Sequence, residues 1–127
     1  MKQTNIQDLS ILLIEDSKLY SDFICSHLRR KLGISEIDIA NTELLGRTLV
    51  ERRNHQIIIS DTMCGDSYPY GPIIVAYARS LGRTPLVIAL STNPDNEKVW
   101  TGNSQCNYFF WKGTFNCKDV KKVLGVE

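Results

Sequence analysis

Apolar residues in this chain fall into short continuous runs separated by stretches of helical spacing. Ile11-Leu12-Leu13-Ile14 is such a run. It is too short for a buried helix and rich in branched side chains, so it predicts a strand covered on both faces. Ser17 then stands in a capping position, and Leu19, Phe23, Ile24, Leu28 and Leu32 recur at helical spacing up to Gly33, a C-terminal stop. Ile37 to Ala40 alternates as a second strand. Asn41-Thr42 opens a second helix with Leu44, Leu45, Leu49 and Val50 as its apolar stripe, and Arg52-Arg53-Asn54 ends it where the dipole favours cations. Ile57-Ile58-Ile59 is the third strand, followed after Asp61 by a polar loop from Thr62 to Gly71. Pro72 suits the first turn of a third helix, continued by Ile73, Ile74, Tyr77, Ala78 and Leu81 and stopped by Gly82. Leu86 to Leu90 is a fourth strand. Asn93-Pro94-Asp95 opens a short, weakly patterned helix that ends near Gly102. Asn107 to Trp111 is an aromatic fifth strand, and Asn116 to Leu124 is a last helix with Val120, Val123 and Leu124 facing inward.

Five strands alternating with helices predict an α/β fold: a doubly wound, five-stranded parallel sheet with helices on both faces. The 127 residues form one domain on this reading, with a core over about 10–125 and a flexible lead over 1–9. There is no internal repeat, linker or low-complexity stretch.

Composition narrows the partners. Lys plus Arg is 15 and Asp plus Glu is 14, so the net charge of +1 gives no electrostatic case for nucleic acid or an anionic membrane as the main partner. No apolar run approaches the roughly 20 residues that span a bilayer, and the opening MKQTNIQDLS lacks a signal-peptide apolar region. Cys25, Cys64, Cys106 and Cys117 show no Cys-x-x-Cys spacing, which reads as four free thiols in a reducing cytoplasm.

In a parallel sheet the ligand site lies beyond the carboxyl ends of the strands. Polar residues cluster at those ends: Glu15 and Asp16 after the first, Asp61 after the third, Ser91 and Thr92 after the fourth, Lys112 after the fifth. Carboxylates gathered in one crevice repel, and a hard cation relieves that. Mg²⁺ suits the site because it takes a few carboxylates and keeps several waters, leaving room for phosphoryl oxygens. Asp61 is then a candidate nucleophile in phosphoryl transfer, with the Lys112 ammonium and the Ser91 hydroxyl as partners for the phosphoryl oxygens.

The order ILLIEDS, IIISD, IALST and FFWKG resembles the receiver domain of two-component response regulators, in particular the stand-alone chemotaxis-type receivers. Each motif alone is weak, but together, each at a strand end from about Ile11 to Leu124, they are specific. The resemblance implies the flavodoxin-like, receiver-type version of the sheet. It implies that Asp61 is the phosphoacceptor and that Mg²⁺ is held by Glu15, Asp16, Asp61 and the backbone carbonyl of Met63. Ser91 and Lys112 would contact the phosphoryl group, and Ser91 and Phe109 would form the switch. The implied partners are a sensor histidine kinase or a histidine phosphotransfer protein upstream and an output protein or domain downstream. Such a protein is a cytoplasmic regulatory phosphoacceptor rather than an enzyme with turnover, although receivers catalyse their own phosphorylation and dephosphorylation. Both a stand-alone receiver and the receiver portion of a longer regulator fit.

The sequence departs from the family in four places. The usual Lys-Pro pair is Lys112-Gly113, so the lysine is expected to be held less firmly or by another backbone route. The loop TMCGDSYPYG is about two residues longer than usual and lacks a Met-Pro pair. Thr92 is larger than the usual small residue, and the last helix is short. The altered loop and the missing Lys-Pro pair favour the alternative reading, a pseudo-receiver that docks without being phosphorylated, and the intact acidic site opposes it. A metal-dependent phosphohydrolase is a third reading, opposed by Asp61-Thr62-Met63, which lacks the second acid of an Asp-x-Asp motif.

Other residues read as bland. His27 and His55 are expected at the surface, Arg29-Arg30-Lys31 as a solvated helix face, and Cys64 exposed. Trp100, on the weak fourth helix, is the candidate partner-face residue, since aromatics are enriched at interface hot spots. Its rival role is packing back on the sheet.

Overall fold

The computed structural model describes residues 5–64 and 68–125. Five strands form one parallel sheet: β1 (Ser10–Ile14), β2 (Glu36–Ala40), β3 (Ile57–Asp61), β4 (Leu86–Ser91) and β5 (Tyr108–Trp111), in the order β2-β1-β3-β4-β5. Four α-helices accompany them: α1 (Lys18–Leu32), α2 (Glu43–Arg52), α3 (Tyr70–Ser80) and α4 (Cys117–Leu124). The strand order reverses direction between β1 and β3, and their carboxyl ends flank the crevice this creates.

The two faces of the sheet explain the unbroken apolar runs. Ile11, Leu13, Ile57, Ile59, Ile88 and Leu90 point into one core with Ile24, Cys25, Leu28 and Leu32 of α1 and Val120 of α4. Leu12, Ile14, Ile58, Val87 and Ala89 point into a second core with Val50 of α2 and Tyr70, Ile74, Val75 and Ala78 of α3. Alternate side chains thus enter opposite cores, and both must be apolar. Each fully buried Ile or Leu contributes about 1.5–3 kcal/mol by leaving water.

Helix α1 begins where the Ser17 side chain accepts from the Tyr20 amide and stops at Gly33, whose left-handed backbone at φ 71° returns its N–H to Arg29 O. The expected apolar stripes need correction. Leu19 is 86% exposed and Phe23 also faces solvent. At about 100° per residue they sit opposite the face shared by Ser21, Ile24, Cys25, Leu28 and Leu32. Leu44 and Leu45 are likewise exposed, because α2 turns Gly46 and Val50 inward, and Gly46 lies against Ile74 of α3.

The fourth helix expected from Asn93 to Gly102 is not an α-helix. Its residues form two 3₁₀ segments, Pro94–Val99 and Gly102–Ser104. No apolar stripe with a 3.6 period exists there to hold an α-helix to the sheet. Local bonds set the turns instead: Asn93 Oδ1 accepts from the Asp95 amide, and Thr101 and Ser104 form a capping box. Within the lead expected over residues 1–9, Ile6–Asp8 is a 3₁₀ turn, and Ile6 and Leu9 pack against the first core. Residues 1–4 of that lead, residues 65–67 of the long loop, and residues 126–127 lie outside the described residues.

Candidate functional site

Strand ends bring the candidate residues together. β1 delivers Glu15, which is buried, and Asp16, which is exposed; β3 ends in Asp61, which is buried. One carboxylate oxygen from each lies within 4.8 Å of the others. From the end of β5, Lys112 Nζ stands 2.7 Å from Glu15 Oε1 and 3.5 Å from Asp61 Oδ2. The contact with Glu15 is a close ion pair, yet Glu15 Oε1 makes no hydrogen bond of good geometry. Glu15 Oε2 accepts from the Ser17 amide, and Asp61 Oδ1 accepts from the Thr62 amide at 2.9 Å.

Lys112 is held by three further contacts. Its backbone N–H donates to Ser91 O at 2.8 Å, its carbonyl accepts from the Tyr20 hydroxyl at 3.3 Å, and its ammonium lies 4.5 Å from the centre of the Tyr20 ring. Tyr20 therefore supplies a backbone anchor where the sequence has glycine after the lysine.

A crevice of about 160 Å³ is lined by Asp61, Met63, Ser91, Thr92, Asn93, Asn96 and Lys112. Ser91 is buried, and its hydroxyl donates to Asn93 O and accepts from the Asn93 amide and Asn96 Nδ2. It thus ties the end of β4 to the 3₁₀ segment. A larger groove between α1 and α4, lined by His27, Lys31, Asn116, Cys117, Lys118 and Lys121, contains no acidic group and lies away from these carboxylates.

Burial and the neighbouring Asp61 carboxylate push Glu15 up from 4.5 to about 7, against the opposing pull of Lys112. Burial also raises Asp61, against Lys112 and the Thr62 amide. Glu15 therefore binds a proton more readily in the metal-free fold than in the unfolded chain. A divalent cation fits this oxygen donor set: it would replace that proton and offset carboxylates that one ammonium does not balance.

The sign of the resulting pH dependence follows. A raised carboxyl pKa stabilises the fold fully below the unfolded value of 4.5, and that contribution is lost as pH rises through about 7. Metal-free protein in chelator is expected to resist urea better at pH 5 than at pH 8. Glu15→Gln should flatten the difference by on the order of 1–2 kcal/mol, the full shift being discounted for the solvent-open side of the crevice. A wild-type stability that climbs between pH 5 and 8 to the same extent as in the variant would refute this account.

Comparison with solved structures gives consistent likenesses. A CheY-like response regulator receiver domain protein from Methanospirillum hungatei is 19% identical with a TM-score of 0.74, over 93% of this chain and 92% of that one. The receiver domain of the Arabidopsis thaliana histidine kinase CKI1, complexed with Mg²⁺, is 14% identical with a TM-score of 0.72, over 94% of each chain. The Saccharomyces cerevisiae receiver domain of Ssk1, crystallised with the histidine phosphotransfer protein Ypd1, is 17% identical with a TM-score of 0.71, over 93% of this chain and 87% of that one. The chain has the receiver fold. No protein-family model matches the sequence, and no curated protein matches it.

Within this receiver fold, Glu15, Asp16, Asp61 and Lys112 converge, and Met63 and Ser91 border the same crevice. Phe109 is half-buried against the second core. Thr92 is exposed at the crevice rim. Two expectations are overturned. Trp100 is buried in the second core, and its indole N–H donates to Thr62 Oγ1 at 2.9 Å; it packs on the sheet and offers no partner face. His55 is also buried, with Nε2 2.8 Å from Asp38 Oδ2, because the turn into β3 folds it against β2. His27 is half-buried, its Nδ1 donating to Phe23 O. Cys64 is exposed as expected, and desolvation with the neighbouring Asp16 and Asp61 carboxylates pushes its thiol up.

Sequence reasoning missed Tyr20, Thr62, Tyr70 and Asn96. Tyr20 carries a usable signal, an aromatic residue in the first turn after the acidic pair. Thr62 and Asn96 act through hydroxyl and amide contacts across the sheet end, which no local pattern announces.

Proposed function

We propose that this chain is a receiver of a two-component His-Asp phosphorelay, accepting a phosphoryl group on Asp61 with Mg²⁺. The observation that carries this reading is the convergence of Asp61 with Glu15 and Asp16 within 4.8 Å and with the Lys112 ammonium alongside. An Asp61 carboxylate oxygen attacks the phosphorus of a phosphohistidine. The P–N bond breaks, its electron pair stays on the imidazole, and the ring takes up a proton. Lys112 offers its charge to the phosphoryl oxygens, and the Ser91 hydroxyl can reach them once it leaves Asn93. Glu15, Asp16, Asp61 and the Met63 carbonyl would hold the cation, which supplies neutralising charge for the incoming anion. Ser91 and Phe109 would carry the change to the segment after β4. Among the solved neighbours, one receiver is complexed with Mg²⁺ and another is crystallised with a histidine phosphotransfer protein, which supports a phosphohistidine partner upstream; the downstream partner in this reading is an output protein or domain. The role is regulatory. No described helix is long and apolar enough to cross a membrane; the proposed place of action is the cytoplasm.

The test is intact mass after incubation with acetyl phosphate and Mg²⁺. One added phosphoryl group is expected in the wild type, and none in Asp61→Asn or with a chelator present. No adduct on folded wild-type protein would sink the reading. The pseudo-receiver reading would then lead. It is favoured by Lys112 lying closer to Glu15 than to Asp61 and by the engaged Ser91 hydroxyl.

A further inference from the structure

The phenol of Tyr70 is a buried polar group that this phosphoryl transfer leaves unused. Tyr70 opens α3, is 1% exposed, and its hydroxyl finds no hydrogen-bond partner among the described residues. Buried hydroxyls in folded proteins are nearly always satisfied, by protein, water or an ion, so this one calls for a partner.

Its surroundings point to one. Burial raises the phenol well above its ordinary range, and the carboxylates of Asp61, Glu15 and Asp16 push it the same way. The same three carboxylates form the cluster within 4.8 Å at the strand ends, and the first turn of α3 rests on one of those ends. The Asp16 backbone amide opposes that shift but is a donor, so it leaves the phenol's own proton without an acceptor. None of the three carboxylates accepts that proton directly. Helix α3 is also pressed onto the end of β3. A Cβ at Gly71 would collide with the Asp61 carbonyl oxygen and the Ser60 hydroxyl. That close approach seats the first turn of α3, which carries Tyr70, on the strand end that carries Asp61.

We propose that Tyr70 is a positioning residue of the cation site, its hydroxyl donating into the shell of carboxylate and water oxygens around a divalent cation held by Glu15, Asp16 and Asp61. The inference rests on reading those carboxylates as a metal site. Mg²⁺ keeps several of its waters, and a carboxylate that gives one oxygen to the cation has a second oxygen free to accept. Outer-shell hydrogen bonds of this kind orient ligands and sharpen affinity.

Tyr70→Phe removes one oxygen and keeps the ring. Wild type and variant, both full chain and metal-free, are titrated with MgCl₂ by calorimetry, and their Tm is measured with and without Mg²⁺. The variant is expected to bind Mg²⁺ about ten-fold more weakly. Its metal-free Tm should equal or exceed that of the wild type, since an unpartnered buried hydroxyl is gone, while its rise in Tm on adding Mg²⁺ should shrink. Equal Mg²⁺ affinity in the two proteins overturns the inference and leaves the metal site standing. Equal losses of Tm with and without Mg²⁺, at unchanged affinity, overturn it in favour of a structural role. Absence of Mg²⁺ binding by the wild type itself overturns the metal-site reading, and Tyr70 with it.

Discussion

Replacing Trp100 with alanine lowers the unfolding free energy by about 3–5 kcal/mol. The side chain is 4% exposed and belongs to the second core. Its removal takes a large apolar surface out of the fold and leaves a cavity that the strands around it cannot fill. It also removes the donor to Thr62 Oγ1, although that hydroxyl keeps its own bond to Leu90 O at 2.8 Å. Trp100→Phe should be milder, about 1–2 kcal/mol, because most of the apolar volume returns and only the indole donor is missing. Urea unfolding followed by circular dichroism separates the cases without relying on the remaining Trp111, which is mostly exposed. A cost below about 1 kcal/mol for the alanine variant would place Trp100 outside the packed core.

That position changes how the site connects to the surface. The Thr62 amide donates to Asp61 Oδ1 while the Thr62 hydroxyl accepts from Trp100, which caps the 3₁₀ segment Pro94–Val99. The other end of that segment is tied to Ser91 through Asn93 and Asn96. Both ends of Pro94–Val99 are thus bonded to residues beside Asp61. On the proposed function, a surface that responds to phosphorylation would be that segment's exposed side, with Trp100 as its inner anchor.

How much of this is legible in the sequence depends on whether the signal is local. The strands are legible because both faces of the sheet are covered, which forces unbroken runs such as Ile57-Ile58-Ile59. The acidic pair, Asp61, Ser91 and Lys112 are legible as a group because parallel strands deliver their carboxyl ends to one edge. Which helix face turns inward is less legible. Leu19 and Leu44 are as apolar as Leu28, but their faces are turned to solvent, while the small residues Ser21 and Gly46 take inward positions, Gly46 where α2 meets Ile74 of α3. A search for large apolar residues passes over them. The segment after β4 carries too weak a period to specify a helix, and its hydrogen bonds to Ser91 decide the outcome. Tyr70 reads as the end of a polar loop, and its place beside the carboxylates depends on contacts across the chain.

Gly71→Ala is expected to destabilise the protein by about 2–3 kcal/mol, although helix propensity alone predicts the reverse. Alanine would favour α3 by about 1 kcal/mol over glycine at an open helical position. Gly71 is not open. Its missing side chain lets the first turn of α3 rest on the Asp61 carbonyl oxygen, which also accepts from the Ser60 hydroxyl at 2.6 Å. A methyl group there meets backbone, which has no rotamer to adopt, so helix and strand end must separate. Gly46→Ala is the matched control. Its methyl first meets the side chain of Ile74, which can shift at the cost of some core packing, so the loss should be smaller. The two variants should differ in kind as well as in size. Moving α3 off β3 displaces Tyr70 and the backbone that carries Asp61, so Gly71→Ala should also slow phosphorylation by acetyl phosphate at temperatures where the fold persists. Gly46 lies between two helices, with Ile74 rather than Asp61 nearest to it, and its variant should be phosphorylated at the wild-type rate. Equal stability of Gly71→Ala and wild type would show that the junction between β3 and α3 yields freely, and would remove the rigid support that this account gives to Asp61.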